Sequence, residues 1–291
     1  MQVPGSINYE RAASVEDALG LLERLGPESR IIAGGHSLLP MMKLRLARPE
    51  VLIDINDLTD LSYVRKEADE LAIGAMTRHR ELLASELAGR YFPILHDAER
   101  VIADPVVRNR GTIGGSLCQA DPSEDLSAAF AALKATAVVR SSSGSRRVPM
   151  AEFHEGPYTT VLGPAEMLVE VRIPIRAGAG SAYEKVERRV GDWAIAAVGA
   201  YLCLNGDHIS EAGIGLAAVG ADHFRAERAE AALQGSRADD ASFAEAARLA
   251  SEECEPVSDQ RGPADYKRHL VSELTARALR TARARADERK V

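Results

Sequence analysis

The 291-residue chain is poor in aromatics, at 4% with a single tryptophan, and holds only three cysteines. Cys118, Cys203 and Cys254 are odd in number, far apart and in no CxxC pattern. Neither a disulfide framework nor a zinc or iron–sulfur site is readable from them, and they are read as reduced, mostly buried thiols. No apolar run reaches the roughly 18–20 residues that span a bilayer. Met1-Gln2-Val3-Pro4-Gly5 is not a basic segment leading into an apolar one, so a cytoplasmic location is expected. Positive charge is not in excess either. A formal net charge of −7 argues against a nucleic-acid binder, which needs a basic footprint to displace counterions.

What is present has the balance of a globular protein, 27% charged and 46% hydrophobic. The length exceeds what one compact core usually holds, so two or three lobes are expected. Ser14-Val15-Glu16-Asp17 reads as a cap for a short helix with Val15, Leu19, Leu22 and Leu25 on one face and Gly26 at its end. Strands are expected at 30–33 and 51–55, giving a βαβ-like lobe over about residues 1–56. A second lobe, about 57–177, has a strand at 71–75, a helix after Thr77 as N-cap, and helices at 93–102 and 126–133. It also has a hairpin turning at Ser141-Ser142-Ser143-Gly144 and an alternating segment at 169–174 that reads as an edge strand closed by Pro174. Gly178-Ala179-Gly180 is the best linker candidate. Beyond it, 193–204 and 208–218 form a hairpin about Asn205-Gly206-Asp207, followed by helices at 225–233, 242–251 and 264–285. The domains expected are 1–177 and 178–291, the second a smaller α+β unit.

Two glycine loops stand out: Ala33-Gly34-Gly35-His36-Ser37 directly after a strand, and Thr112-Ile113-Gly114-Gly115-Ser116 after Arg108-Asn109-Arg110. Adjacent glycines let backbone approach a ligand and reach φ > 0. Successive N–H groups make a concave anion site, to which a Ser or Thr hydroxyl adds a donor. Two such loops match the two phosphoryl groups of a pyrophosphate. Neither loop has the Rossmann spacing, Gly213-Ile214-Gly215 lacks the third glycine, and no Walker A pattern occurs. A Gly-Gly pair after a strand is by itself more often a plain turn.

As a pair, Ala33-Gly34-Gly35-His36-Ser37-Leu38-Leu39-Pro40 and Thr112-Ile113-Gly114-Gly115-Ser116-Leu117 resemble the FAD pyrophosphate loops of the molybdenum hydroxylase flavoproteins. That family includes the flavin domain of xanthine dehydrogenase and the medium subunit of carbon monoxide dehydrogenase. The resemblance extends through Ala120-Asp121-Pro122-Ser123-Glu124-Asp125, Glu166-Met167-Leu168 to Ile173-Pro174, Tyr183-Glu184-Lys185 and Gly191-Asp192-Trp193, nearly the whole chain in the family's order. The wording of the second loop is most similar to the carbon monoxide dehydrogenase branch. The implied fold is α+β, a two-lobed FAD-binding domain of the PCMH type followed by the smaller C-terminal domain.

The resemblance further implies that Ile32, Ala33, Gly34, Gly35, His36 and Ser37, with Thr112, Ile113, Gly114, Gly115 and Ser116, bind the FAD pyrophosphate. It implies that Asp125 contacts the adenosine part, that Leu168 and Lys185 line the flavin pocket, and that Trp193 flanks the isoalloxazine ring. Ile102 falls near the ring by position only. Read without the family, His36 is a hydrogen-bonding residue, Asp125 a first-turn helix charge, Lys185 part of a surface strand face, Trp193 core, and Arg108 and Arg110 solvated. No catalytic residue and no metal ligand is expected. Molybdenum cofactor and [2Fe-2S] clusters are implied on a large and a small partner subunit, assembled as a dimer of heterotrimers, with this chain passing electrons through FAD to an external acceptor. The alternatives are a stand-alone flavin oxidase of the vanillyl-alcohol oxidase class and a non-catalytic nucleotide-binding assembly module.

Overall fold

The computed structural model describes residues 3–288. Its first lobe is a three-stranded parallel sheet ordered β1-β3-β2, from β1 (Asn8–Arg11), α1 (Val15–Leu25), β2 (Ser29–Ile32), α2 (Leu38–Lys43) and β3 (Val51–Asp54). Ser14 starts α1 by accepting from the Asp17 N–H, and Gly26 ends it at φ 70°, the left-handed region open to glycine. Leu19 and Leu22 are buried against Ile53, in a core completed by Met167 and Val169 of the second lobe.

The second lobe runs β4 (Val64–Glu67), β5 (Glu70–Gly74), α3 (His79–Leu83), α4 (Glu86–Tyr91), α5 (Pro93–Val101), α6 (Pro105–Arg110), α7 (Ile113–Gln119), α8 (Asp125–Ala132), β6 (Thr136–Ser141), β7 (Gly144–Pro149), α9 (Met150–Phe153), β8 (His154–Gly156), β9 (Thr159–Thr160) and β10 (Met167–Pro174). Its main sheet is ordered β4-β5-β10-β6-β7. The alternating segment read as an edge strand is therefore its central strand. The polar position that suggested an open face, Glu170, is buried: its carboxylate accepts from the Tyr63 hydroxyl at 2.6 Å and pairs with Arg172, which also reaches Glu67 and Glu70. A covered ion network imitates a solvent face. Thr77 is not the cap of α3, because its buried hydroxyl is bound to the backbone of Tyr63 and Arg78 takes the N-cap position.

The C-terminal domain is an antiparallel sheet of β11 (Ala179–Glu187), β12 (Ala194–Asn205) and β13 (His208–Ala217), with α10 (Glu227–Leu233), α11 (Asp240–Glu253) and α12 (Ala264–Glu288). Asn205 pairs with His208 across the expected turn, where Gly206 has φ 62°. Gly178-Ala179-Gly180 is no free linker. Ala179 and Gly180 open β11, paired with Cys203 and Leu202, and a Cβ at Gly180 would meet the α12 backbone at Ala286. All eight residues of α8 are buried, because the helix lies between its own lobe and the C-terminal sheet. Gly213 and Gly215 permit this: a Cβ at either would stand 2.8 Å from the Ala132 carbonyl carbon or 2.6 Å from that of Ala128.

Candidate functional site

The two glycine loops both line one cleft of about 460 Å³ and make two of its walls. The first wall follows from the strand that feeds it. β2 ends at Ile32, Gly35 turns the chain at φ 79°, and α2 begins at Leu38 with Ser37 in the N-cap position. The carbonyls of Ile32 and Ala33 are tied to Ile55 N and Asn56 Nδ2, which fixes the loop's direction. Among the described residues, the N–H groups of Gly34, Gly35, His36 and Ser37 make no hydrogen bond, and the Ser37 hydroxyl makes no capping bond. Four successive free donors in one turn are the kind of backbone arrangement that can accept an anion.

The second wall differs from its reading in the sequence. Thr112 is the N-cap of α7 and accepts from Gly115 N at 3.1 Å, while Ile113 N and Gly114 N donate to the carbonyls of Thr77 and Ala75. These donors are already used, and neither glycine has a positive φ. Gly114 is required for packing: a Cβ there would lie 2.7 Å from that of Ala75. What this wall offers the cleft is hydroxyl chemistry, from Thr112 and Ser116. The walls also touch each other, because a Cβ on Gly34 would run into the backbone of Arg110 and Gly111.

Ile32 through Ser37, Thr112, Gly114, Gly115, Ser116 and Leu168 thus line one cleft. Ile113, Asp125, Ile102, Lys185 and Trp193 are not among its lining residues, and Ile113 is fully buried in the core. Asp125 and Lys185 come together elsewhere, as a buried ion pair at 2.9 Å that also takes in the Tyr183 hydroxyl at 2.9 Å and the Val101 carbonyl at 3.1 Å. Burial lifts the Asp125 carboxyl above its ordinary range, although Lys185 and Tyr183 oppose this. Ile102 follows directly on α5, and Trp193 is 46% exposed rather than core, in the loop whose Gly191 abuts Ala103. Arg108 is half-buried, donating to the carbonyls of Ile102 and Ala103 at 2.7 and 3.1 Å, whereas Arg110 is exposed as expected.

Sequence reasoning missed His79, Met76, Cys118, Thr160 and the stretch from Leu162 to Pro164, all of which line the cleft. They come from short helices and a loop with no periodic signal. Burial pushes the Cys118 thiol up to about 12, which makes it a wall residue rather than a nucleophile. No group of three or more His, Cys, Asp or Glu that could hold a metal occurs among the described residues, and no helix there is long and apolar enough to cross a membrane.

Residues 5–176 match the family model described as the FAD binding domain in molybdopterin dehydrogenase, and residues 181–282 match the CO dehydrogenase flavoprotein C-terminal domain. The chain belongs to the family of FAD-binding medium subunits of molybdenum hydroxylases. Within that family it is 40% identical to the carbon monoxide dehydrogenase medium chain of Afipia carboxidovorans over 98% of this chain and 99% of that one. It is 37% identical to the glyceraldehyde dehydrogenase medium chain of Sulfolobus acidocaldarius, over 95% and 98%. A solved carbon monoxide dehydrogenase from Hydrogenophaga pseudoflava superposes with a TM-score of 0.93 at 43% identity, covering 97% of this chain and 99% of that one.

Proposed function

We propose that this chain holds FAD as the electron-transfer subunit of a molybdenum-containing dehydrogenase. In this reading, electrons arrive from iron–sulfur clusters on a small partner subunit, substrate is oxidised on a large one, and an external acceptor takes the electrons away. The observation that carries it is the run of four unused N–H groups, Gly34 to Ser37, on residues that line the same cleft as Thr112 and Ser116. That donor set suits a pyrophosphate. Bound FAD supplies the capacity to take up electrons and release them singly or in pairs.

The first loop would hold the pyrophosphate through backbone donors and the second through hydroxyls, with Leu168 as apolar wall. Ile113 would support that wall from behind, and Gly114 would let it pack closely on Ala75. For Asp125 and Lys185 we assign a positioning role, since their buried pair ties the start of α8 to β11 rather than presenting either group to the cleft. Ile102 and Trp193 would flank the cofactor's ring end. The chain lacks cysteines spaced for a cluster, which fits donors on separate subunits. The proposed assembly is a dimer of heterotrimers in the cytoplasm.

Purified chain should be yellow and release all its flavin on denaturation. Anaerobically, it should show no substrate-dependent bleaching until the iron–sulfur and molybdenum subunits are added. Bleaching of the isolated chain by a simple organic substrate at a catalytic rate refutes the subunit reading and favours the oxidase alternative. A colourless chain that takes up no FAD refutes both.

A further inference from the structure

Behind the Ser116 hydroxyl lies a polar chain with no part in the reading above. The Nε2 atom of His79 sits 3.1 Å from Ser116 Oγ, and its Nδ1 sits 3.0 and 3.1 Å from the two carboxyl oxygens of Glu99. Both partners are buried, Glu99 completely. The place is built for the ring, since a Cβ on Gly111 would lie 2.7 Å from His79 Cδ2. Ser116 and His79 line the cleft.

We infer that Glu99 and His79 set the direction of the Ser116 hydroxyl, so that capture of an anionic pyrophosphate in the cleft is coupled to uptake of one proton by this pair. This rests on the FAD reading. When the pair holds its titrating proton in addition to the ring's own N–H, the arrangement is either imidazolium with carboxylate or neutral imidazole with carboxylic acid. In both, Nε2 carries a hydrogen and donates it to Ser116 Oγ, leaving the hydroxyl hydrogen free to point at a ligand oxygen. When the pair loses that proton, Nδ1–H serves the carboxylate, Nε2 becomes an acceptor, and the hydroxyl hydrogen turns inward. The oxygen lone pairs then face the anion. The proton belongs to the pair rather than to either residue.

The surroundings favour the protonated pair. Burial disfavours the imidazolium, but the charge and hydrogen bond of Glu99 outweigh this and hold His79 above the usual histidine range, while burial raises Glu99 as well. The other titratable groups that act on the pair are His96 of α5, Arg108 of α6 and Glu124 ahead of α8. Arg108 is committed to two carbonyls, while Glu124 caps the first turn of α8 with its carboxyl pushed up by burial to about 7, so that it titrates in the acid half of the test range and not at its alkaline end. Arg80 and Glu81 of α3 and Glu86 and Arg90 of α4 are exposed.

The test is calorimetric titration of the full-length chain with FAD between about pH 6 and 9, in two buffers of different ionisation enthalpy, where FAD phosphates do not titrate. Expected is an uptake approaching one proton at the alkaline end, with affinity falling by up to tenfold per pH unit there. Glu99→Gln should abolish both the uptake and the pH slope. Ser116→Ala, which leaves the buried pair in place, should cut the uptake by at least half and weaken binding on the order of tenfold. FAD binding with no proton uptake overturns this inference alone, as does wild-type uptake in Ser116→Ala. Failure to bind FAD at any pH overturns the functional reading and this inference with it.

Discussion

The contact between the two glycine loops allows a quantitative test at Gly34. A methyl group there would be 2.8 Å from Gly111 Cα and 2.9 Å from the Arg110 carbonyl carbon, and nearer still to the Arg110 oxygen. Gly111 thus falls about 0.6 Å short of an ordinary 3.4 Å contact, and every atom met is backbone. Gly34 does not have a positive φ, so the whole effect is steric. Gly34→Ala must push the walls apart, at a cost typical of overpacking, roughly 1–3 kcal/mol of stability. The larger effect falls on FAD. Losing two of the first loop's charge-assisted donors, at about 1.5 kcal/mol or more each, weakens binding roughly 100-fold or more. Flavin content after purification and fluorescence titration of the apo chain measure this, with circular dichroism confirming the fold. Full flavin content in a folded Gly34→Ala chain would show that the walls need not meet to hold the cofactor.

Three further outcomes follow from other parts of the molecule. Cys118 should react with iodoacetamide far more slowly than a free thiol at pH 8, because burial holds its thiol near 12, and FAD should abolish the residual reaction; labelling unaffected by FAD would remove Cys118 from the cleft. His154 is buried beside Phe153 and Phe224, which lowers its pKa to about 4. A depressed folded pKa means that stability present above about 6.5 is lost as pH falls toward 4, so His154→Gln should flatten the stability profile over that window in denaturant melts. Asp97 binds Arg285 of α12 at 2.5 and 3.1 Å and accepts from Tyr183 N, so Asp97→Ala should destabilise by roughly 1–3 kcal/mol, and a melt unchanged from wild type would show that this clasp is idle.

Much of this architecture was legible in the residues because local signals agreed with it. Ser14 and Gly26 bound α1, Asn205-Gly206 fixed the β12–β13 hairpin, and two Gly-Gly loops marked the cleft. What stayed hidden depended on partners distant in sequence. The alternation of β10 looked solvent-exposed because nothing local announces that Tyr63 and Arg172 satisfy Glu170. The second loop looked like a nest of free donors, but Ala75 and Thr77, some 40 residues earlier by sequence number, take up two of them. His79 and Glu99 carry no motif and meet only because α3 packs on α5. Lys185 read as a surface charge since its buried partner, Asp125, lies in the other domain.

The glycines of β13 carry a mechanical meaning. With backbone seated directly on backbone at Ala128 and Ala132, α8 is shared property of both domains, and neither half of the chain has a complete interior without it. A hinge between the domains would have to peel the helix from the sheet and wet an apolar surface on each side. The cofactor cleft and the C-terminal sheet should therefore travel as one rigid piece, melting in a single calorimetric transition. Any partner that grips the C-terminal sheet would thereby fix the distance to whatever the cleft holds.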